Sequence, residues 1–341
     1  VSGTIHYMNK KICVTGAGGY IGSVASYVFL QKGYNVVAVD NYTTGYKNPL
    51  QTLKEKFPNN LTVYEENIKN IHTVFQKENG IEAVVHYAAS CLVDESMKNP
   101  YKYFDNNVNG TNCLLNAMID ANIKRLVFSS TCAVYGEAQY MPIDEKHPLN
   151  PSQPYGVSKQ MVEELIQWYA KLKGLNYMIL RYFNVCGASD DGLIGDSKKP
   201  SSLLMQNAVR GALGIELFAL TCPEVDTPDK TPIRDYVNVQ DLNEAHLAAL
   251  EYLFAENKND IINLGTGTGN SVMEIVNKVK EITGAEFAIG KAEPRQGDDA
   301  KKIADISKAK SVLGWEPKRS VADSVQSLVT WYKAHPQGWD A

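Results

Sequence analysis

Tyr155 and Lys159 stand four residues apart at the head of a segment whose apolar residues fall at helical spacing. On a helix, positions i and i+4 project from one face, so an ammonium lies beside a phenol. A phenol with an ordinary pKa of about 10 is a poor base near neutrality, and a fixed neighbouring cation favours its phenolate. The segment Pro154-Tyr155-Gly156-Val157-Ser158-Lys159 continues with Val162, Leu165, Ile166, Tyr169 and Leu172, which the spacing predicts as an inward stripe. Tyr-x-x-x-Lys alone is common on helix surfaces; its meaning comes from its company.

A second constellation lies near the start of the chain. The run Thr15-Gly16-Ala17-Gly18-Gly19-Tyr20-Ile21-Gly22 places glycines at 16, 19 and 22, after a strand-like segment and before a helical one. Glycines there let the backbone turn tightly and approach a pyrophosphate, which meets the positive end of the following helix. Asp40 ends the next strand-like run, 18 residues beyond Gly22. That is close to the roughly 20-residue offset at which an acid meets the adenosine ribose. A carboxylate there accepts the free hydroxyls of NAD and repels the extra phosphate of NADP, so the cofactor expected is NAD.

These groups need a scaffold. Strand-like runs are Lys11–Thr15, Asn35–Asp40, Thr62–Glu65, Ala83–Tyr87, Arg125–Ser129 and Tyr177–Tyr182. Helical patterns lie near 21–32, 46–56, 70–78, 107–121 and 155–173. This βαβ rhythm predicts an α/β fold, a doubly wound parallel sheet covered by helices on both faces. After about residue 184 the rhythm breaks. A long loop is expected over 187–202, a helix near 203–213, a Pro- and Asp-rich connection over 223–232, a strand at Ile261–Leu264 and a helix over 271–283 opened by Ser271. Two further helices are expected in 305–333, around Gly314-Trp315.

Composition bounds the partners. The 341 residues, 44% hydrophobic and 21% charged, are ordinary for a globular chain, and the net charge of −4 gives no electrostatic reason to expect nucleic acid or an anionic membrane. No apolar run is long enough to span a bilayer, and no secretory segment precedes the first strand. The six cysteines (Cys13, Cys91, Cys113, Cys132, Cys186, Cys222) show no paired spacing and read as free thiols of a reducing, cytoplasmic compartment. The six histidines are scattered without a ligand-like cluster, so no metal is expected. Residues 1–7 precede Met8, fit no element and read as a tag remnant.

The glycine loop, Asp40, Ser130-Thr131 and Tyr155/Lys159, in this order, resemble the extended short-chain dehydrogenase/reductase superfamily, and within it the UDP-glucose 4-epimerase family. The likeness covers nearly the whole chain: TGAGGYIG (15–22), NNVNGT (106–111), PYGVSK (154–159), LRYFN (180–184), RDYVNVQDL (234–242), NLGTGTGNSV (263–272), PRQGD (294–298) and HPQGW (335–339). The resemblance implies a catalytic set of Thr131, Tyr155 and Lys159. It implies phosphate contacts from Gly16, Gly19, Tyr20, Ile21 and Gly22, and ribose contacts from Asp40 and Asn41. Asn67 and Ile68 would border adenine, and Tyr87, Ala88, Ala89 and Asn106 the cofactor's other side, with Tyr182 near the nicotinamide. Phe183, Asn184, Leu203, Arg234, Arg295 and Asp298 would face a UDP-hexose, guanidinium forks matching diphosphate oxygens. The Rossmann domain would comprise 8–183 plus about 236–266, and a smaller substrate-binding domain about 184–235 plus 267–341. A homodimer joined by the helices near 107–121 and 155–173 is also implied, as is a role in galactose metabolism.

The chain departs from that pattern in places. Asn67 stands where an acid is usual, Cys91 where a lysine is frequent, and Ser201-Ser202 where an amide-bearing pair precedes Leu203; no aromatic-Gly pair follows Leu217–Leu220. Lys302 sits where side-chain size bears on N-acetylated sugars, and its length favours plain hexoses. Epimerisation of another nucleotide sugar (N-acetylhexosamine, uronate or pentose) is the alternative, and an NAD-binding regulator a more distant one that would lack the Tyr/Lys pair. Related dehydratases need an acid/base pair directly after the catalytic Thr; here Cys132 and Ala133 supply no carboxyl acid.

Overall fold

The computed structural model describes residues 9–198, 201–292 and 300–339. Residues 1–7, Arg295 and Asp298 therefore lie outside the described residues. The first half alternates strictly. In chain order it runs β1 (Lys11–Thr15), α1 (Tyr20–Gln31), β2 (Asn35–Asp40), α2 (Asn48–Lys56), β3 (Leu61–Glu65), α3 (His72–Lys77) and β4 (Ile81–His86). There follow α4 (Val93–Lys98), α5 (Pro100–Tyr103), a π-helical stretch over Phe104–Asn109, α6 (Gly110–Asp120), β5 (Arg125–Ser129), α7 (Pro154–Lys173) and β6 (Asn176–Tyr182).

The second half supplies β7 (Asn184–Cys186), α8 (Leu204–Ala212), β8 (Phe218–Leu220), β9 (Ile233–Arg234), β10 (Tyr236–Asn238), α9 (Val239–Glu256) and β11 (Asp260–Leu264). Then come β12 (Asn270–Ser271), α10 (Val272–Thr283), β13 (Ile289–Lys291), β14 (Lys301–Lys302) and α11 (Val321–Ala334).

Seven strands form one parallel sheet in the order β11-β6-β5-β4-β1-β2-β3. Ile12, Val14, Ala38, Val84, Val85 and Val127 are inaccessible to solvent because helices cover both faces of the sheet. The strand order reverses between β1 and β4, so the loops after these two strands diverge and leave a crevice at their carboxyl ends. Short ladders carry the chain beyond the sheet: β7 beside β10, the trio β12-β9-β14, and β8 beside β13.

Three expectations needed revision. The stripe on α7 does bury Val162 and Ile166, but Leu172 is 67% exposed because it lies beyond the sheet, in the last turn before Gly174. In place of the first helix expected in the tail there is one π-turn, Ala309–Leu313, stopped by Gly314 in left-handed conformation. The 18-residue α9 was not anticipated as a separate helix. It packs against α1 and against β5 and β6, so apolar residues surround it and no single stripe marks it. Ser271 does open α10, with the reciprocal Ser271–Glu274 capping box.

Candidate active site

The crevice at the strand-order reversal is a cleft of about 670 Å³. Gly16, Gly19, Tyr20, Ile21, Gly22, Asp40, Asn41, Asn67, Ile68, Tyr87, Ala88, Ala89, Asn106, Thr131, Tyr155, Lys159, Tyr182, Phe183, Asn184 and Leu203 all line it. Residues scattered across the chain thus converge on one space.

Backbone proximity explains the glycine loop. Gly16 has φ of 71°, and a Cβ there would lie 2.6 Å from the Ala88 nitrogen. At Gly22 a Cβ would lie 2.1 Å from the Gly16 carbonyl oxygen. Either substitution would fill the cradle. The N-cap of α1, Gly19, offers no side-chain cap, and the first turn holds no acid, so the helix's own residues leave its positive end open to the cleft. Asp40 accepts hydrogen bonds from Gly18 N at 2.8 Å and Tyr42 N at 2.7 Å. Burial pushes its carboxyl up, opposed by these backbone N–H donors. A carboxylate offers about four acceptor positions, so ribose hydroxyls could still donate to it. This donor set and cradle fit a dinucleotide.

Thr131 follows β5 and its Oγ1 accepts from Ala133 N at 3.1 Å. It lines the cleft together with Tyr155, which α7 presents in its first turn behind Pro154. Lys159, one turn on, donates to the Ser129 carbonyl at 2.7 Å and lies 4.7 Å from the centre of the Phe128 ring. The balance of charge differs from the sequence expectation. Burial pushes the Tyr155 hydroxyl well above its ordinary value, reinforced by Tyr182 and Cys91 and opposed by the Thr131 hydrogen bond. Burial likewise lowers Lys159 to about 8, with Cys91 and Glu163 opposing. Desolvation, which penalises both charged forms, outweighs the pairing anticipated for these two groups.

Several supporting residues escaped the sequence reading. Asn107 donates to Ser90 O at 3.0 Å and to Ser158 Oγ at 3.0 Å, while its own Oδ1 accepts from Ser90 N at 2.8 Å. It joins the loop after β4 to the turn of α7 that carries Tyr155. The NNVNGT motif contained it, but nothing in the spacing separated buried Asn107 from cleft-lining Asn106. From α9, Asn243 accepts the Tyr87 hydroxyl at 2.9 Å, and His246 meets Ser129 Oγ at 3.0 Å. Burial lowers His246 to about 4, so it is neutral. His86 bridges Thr15 at 2.6 Å and Thr111 at 2.9 Å, which ties β1 and β4 to α6.

A second cavity of about 200 Å³ opens beside the first and shares Asn184 and Leu203 with it. Arg234 lines this side cavity. The adjacent Asp235 is buried and accepts from Thr266 N at 2.7 Å, Gly267 N at 3.0 Å and Ala304 N at 3.2 Å, which anchors β9. Among the described residues no cluster of three or more His, Cys, Asp or Glu could hold a metal ion.

The chain is similar to known proteins over 96–97% of its length. It is 42% identical over 334 residues to a UDP-glucose 4-epimerase of Lactobacillus helveticus, covering 97% of this chain and 99% of that protein. It is 36% identical over 342 residues to UDP-arabinose 4-epimerase 1 of Arabidopsis thaliana, covering 96% of this chain and 80% of that protein. The structure of a UDP-glucose 4-epimerase from Bifidobacterium longum in complex with NAD+ and UDP matches with a TM-score of 0.91 at 32% identity, over 96% of this chain and 99% of that one. Residues 12–265, which hold the glycine cradle, Asp40 and the Thr131/Tyr155/Lys159 set, match one family of sequences, and by that match the chain belongs to the NAD dependent epimerase/dehydratase family.

Proposed function

We propose that this protein is an isomerase that interconverts UDP-glucose and UDP-galactose, with NAD as its resident dinucleotide. The observation that carries this reading is the convergence of the Thr131–Tyr155–Lys159 set on the same cleft as the glycine cradle. Bound NAD supplies a reversible hydride acceptor.

The residues do the remaining work. Tyr155 takes the proton of the sugar 4-hydroxyl and later returns it, and Thr131, in the same cleft, relays it. Lys159, anchored on the Ser129 carbonyl, supplies positive charge one helical turn from the phenol. Because burial opposes the phenolate, the Lys159 charge would have to offset desolvation, and a bound NAD would add positive charge to the same end. Arg234 in the side cavity, with Asn184 and Leu203 at its junction, would hold the nucleotide while the sugar, oxidised at C4, turns over. Phe183 would face the sugar, and the resemblance assigns Arg295 and Asp298 to the same substrate. Residues 132 and 133 bring only a thiol and a methyl group next to Thr131, which disfavours loss of water.

Tyr155→Phe tests the base. Turnover of UDP-galactose should fall by about 100-fold or more, while NAD stays bound at one per chain; an active Phe variant refutes the assignment. The likeness to a UDP-arabinose 4-epimerase supports a second reading, a UDP-pentose substrate. Product analysis with UDP-galactose, UDP-N-acetylgalactosamine and a UDP-pentose, each alone, separates these. We read a second copy of the chain as the partner of α7, where Met161, Trp168 and Leu172 are 41%, 56% and 67% exposed along one edge. No helix among the described residues is long and apolar enough to cross a membrane, and free cysteines support a reducing compartment.

A further inference from the structure

Four cationic side chains line the large cleft among the described residues: Lys69, Lys102, Lys159 and Lys198. Three are committed to strong acceptors. Lys69 pairs with Asp105 at 2.5 Å, Lys102 with Glu95 at 2.7 Å, and Lys159 donates to Ser129 O at 2.7 Å. Lys198 is different. Its ammonium donates at 3.1 Å to the thiol of Cys91, which also lines the cleft and lies 107 residues away in the chain. A thiol is a weak acceptor, and a phosphate oxygen would replace it with gain. Burial disfavours the ammonium, but Cys91, Asp196 and Glu95 together raise it above its ordinary value, so it is charged at neutral pH.

The strap that carries Lys198 is held rigidly. The Tyr46 hydroxyl donates to Ser197 O at 2.9 Å, and Tyr46 N donates to Gly18 O at 2.9 Å, so the strap is tied to the glycine cradle itself. Trp331 Nε1 donates to Asp196 O at 3.1 Å, and Trp339 N to Ser197 Oγ at 2.7 Å. Gly195 lies so close to the Trp331 indole that a Cβ would be 2.5 Å from the ring.

We propose that Lys198 is a diphosphate-binding residue, a cation carried by the 194–198 strap and aimed into the cleft to clamp a bound nucleotide. This rests on the reading of the cleft as a site for NAD and a UDP-sugar. The shared chemistry is a diphosphate, and two ligands could present it.

The test measures dissociation constants of NAD and of UDP separately for the wild type, K198M and K198R, at low and high salt, together with the dinucleotide that stays bound through gel filtration. Loss of one charge-assisted contact predicts weakening of one ligand by about 10- to 100-fold in K198M. K198R should keep most of the affinity, and the wild-type advantage should shrink as NaCl rises from about 0.05 to about 0.5 M. Weakened NAD assigns the clamp to the dinucleotide, and weakened UDP assigns it to the sugar nucleotide. Unchanged affinity for both overturns the proposal, as does an equal, salt-independent loss in K198M and K198R, which marks a packing role. Should K198M not fold, K198Q read against K198R decides by the same criteria. A wild type that binds neither ligand would instead refute the reading of the cleft.

Discussion

Glu163→Gln probes both the frame of the site and its charge. Glu163 lies on α7 one turn beyond Lys159 and is 1% exposed. Its carboxylate accepts from Ser130 Oγ at 2.5 Å and from Arg181 Nε at 3.0 Å and Nη2 at 2.5 Å. Arg181 in turn donates to the Tyr135 hydroxyl at 3.1 Å, and Tyr135 to Asn263 at 2.6 Å. One network therefore ties α7 to the strand-end residue Ser130 and to β6 and β11. The glutamine amide removes the charge and leaves the guanidinium buried without a counter-ion, a loss of about 3–5 kcal/mol.

The same change acts on Lys159. Glu163 opposes the desolvation that holds this ammonium at about 8, so its removal lowers the lysine further. If the protonated lysine supports the reaction, the alkaline limb of the pH–rate profile moves to lower pH. Urea unfolding with saturating NAD and UDP-galactose turnover between about pH 6 and pH 10 read the two effects. E163L/R181M, which leaves no charge behind, should recover most of the stability. A loss under about 1 kcal/mol in E163Q would refute the account of the buried pair, and an alkaline limb moving upward would refute the electrostatic link.

Two more outcomes follow from local geometry. Gly22→Ala puts a methyl 2.1 Å from the Gly16 carbonyl oxygen, and because the obstacle is backbone the cradle must shift. NAD affinity should drop by about 10-fold or more with the circular dichroism spectrum retained; unchanged affinity would mean the cradle does not hold the phosphates. His86 is lowered from 6.5 to about 3 by burial, with Lys159 adding to the effect. As pH falls below 6.5 the unfolded chain binds a proton that the folded chain refuses, so stability declines towards acid. His86→Gln should flatten that decline in urea midpoints taken at about pH 7 and about pH 5; an unaltered slope would rule His86 out as its source.

Much of this site was readable because its chemistry is written in short spacings. The glycine loop, Asp40 at the end of β2 and the Tyr155/Lys159 turn each need only the geometry of one element and its neighbour, which local residues dictate. The strand runs were legible for a similar reason, since continuous β-branched segments suit a sheet buried on both faces. Helix α9 was obscured because burial on several sides removes the amphipathic stripe. Leu172 was misplaced because periodicity does not report where the sheet beneath a helix stops.

By itself, then, the order of residues determined the parallel α/β architecture, the preference for NAD and where along the chain the candidate reacting groups stand, all matters of local backbone preference and periodicity. Tertiary structure alone decided that Lys198 would meet Cys91 from 107 residues away, that Tyr46 would reach Ser197 across 151, and that Asn107 would brace Ser158 across 51. It also reversed the expected charge balance at Tyr155. Desolvation depends on everything packed around a group, and no spacing within one segment encodes that sum.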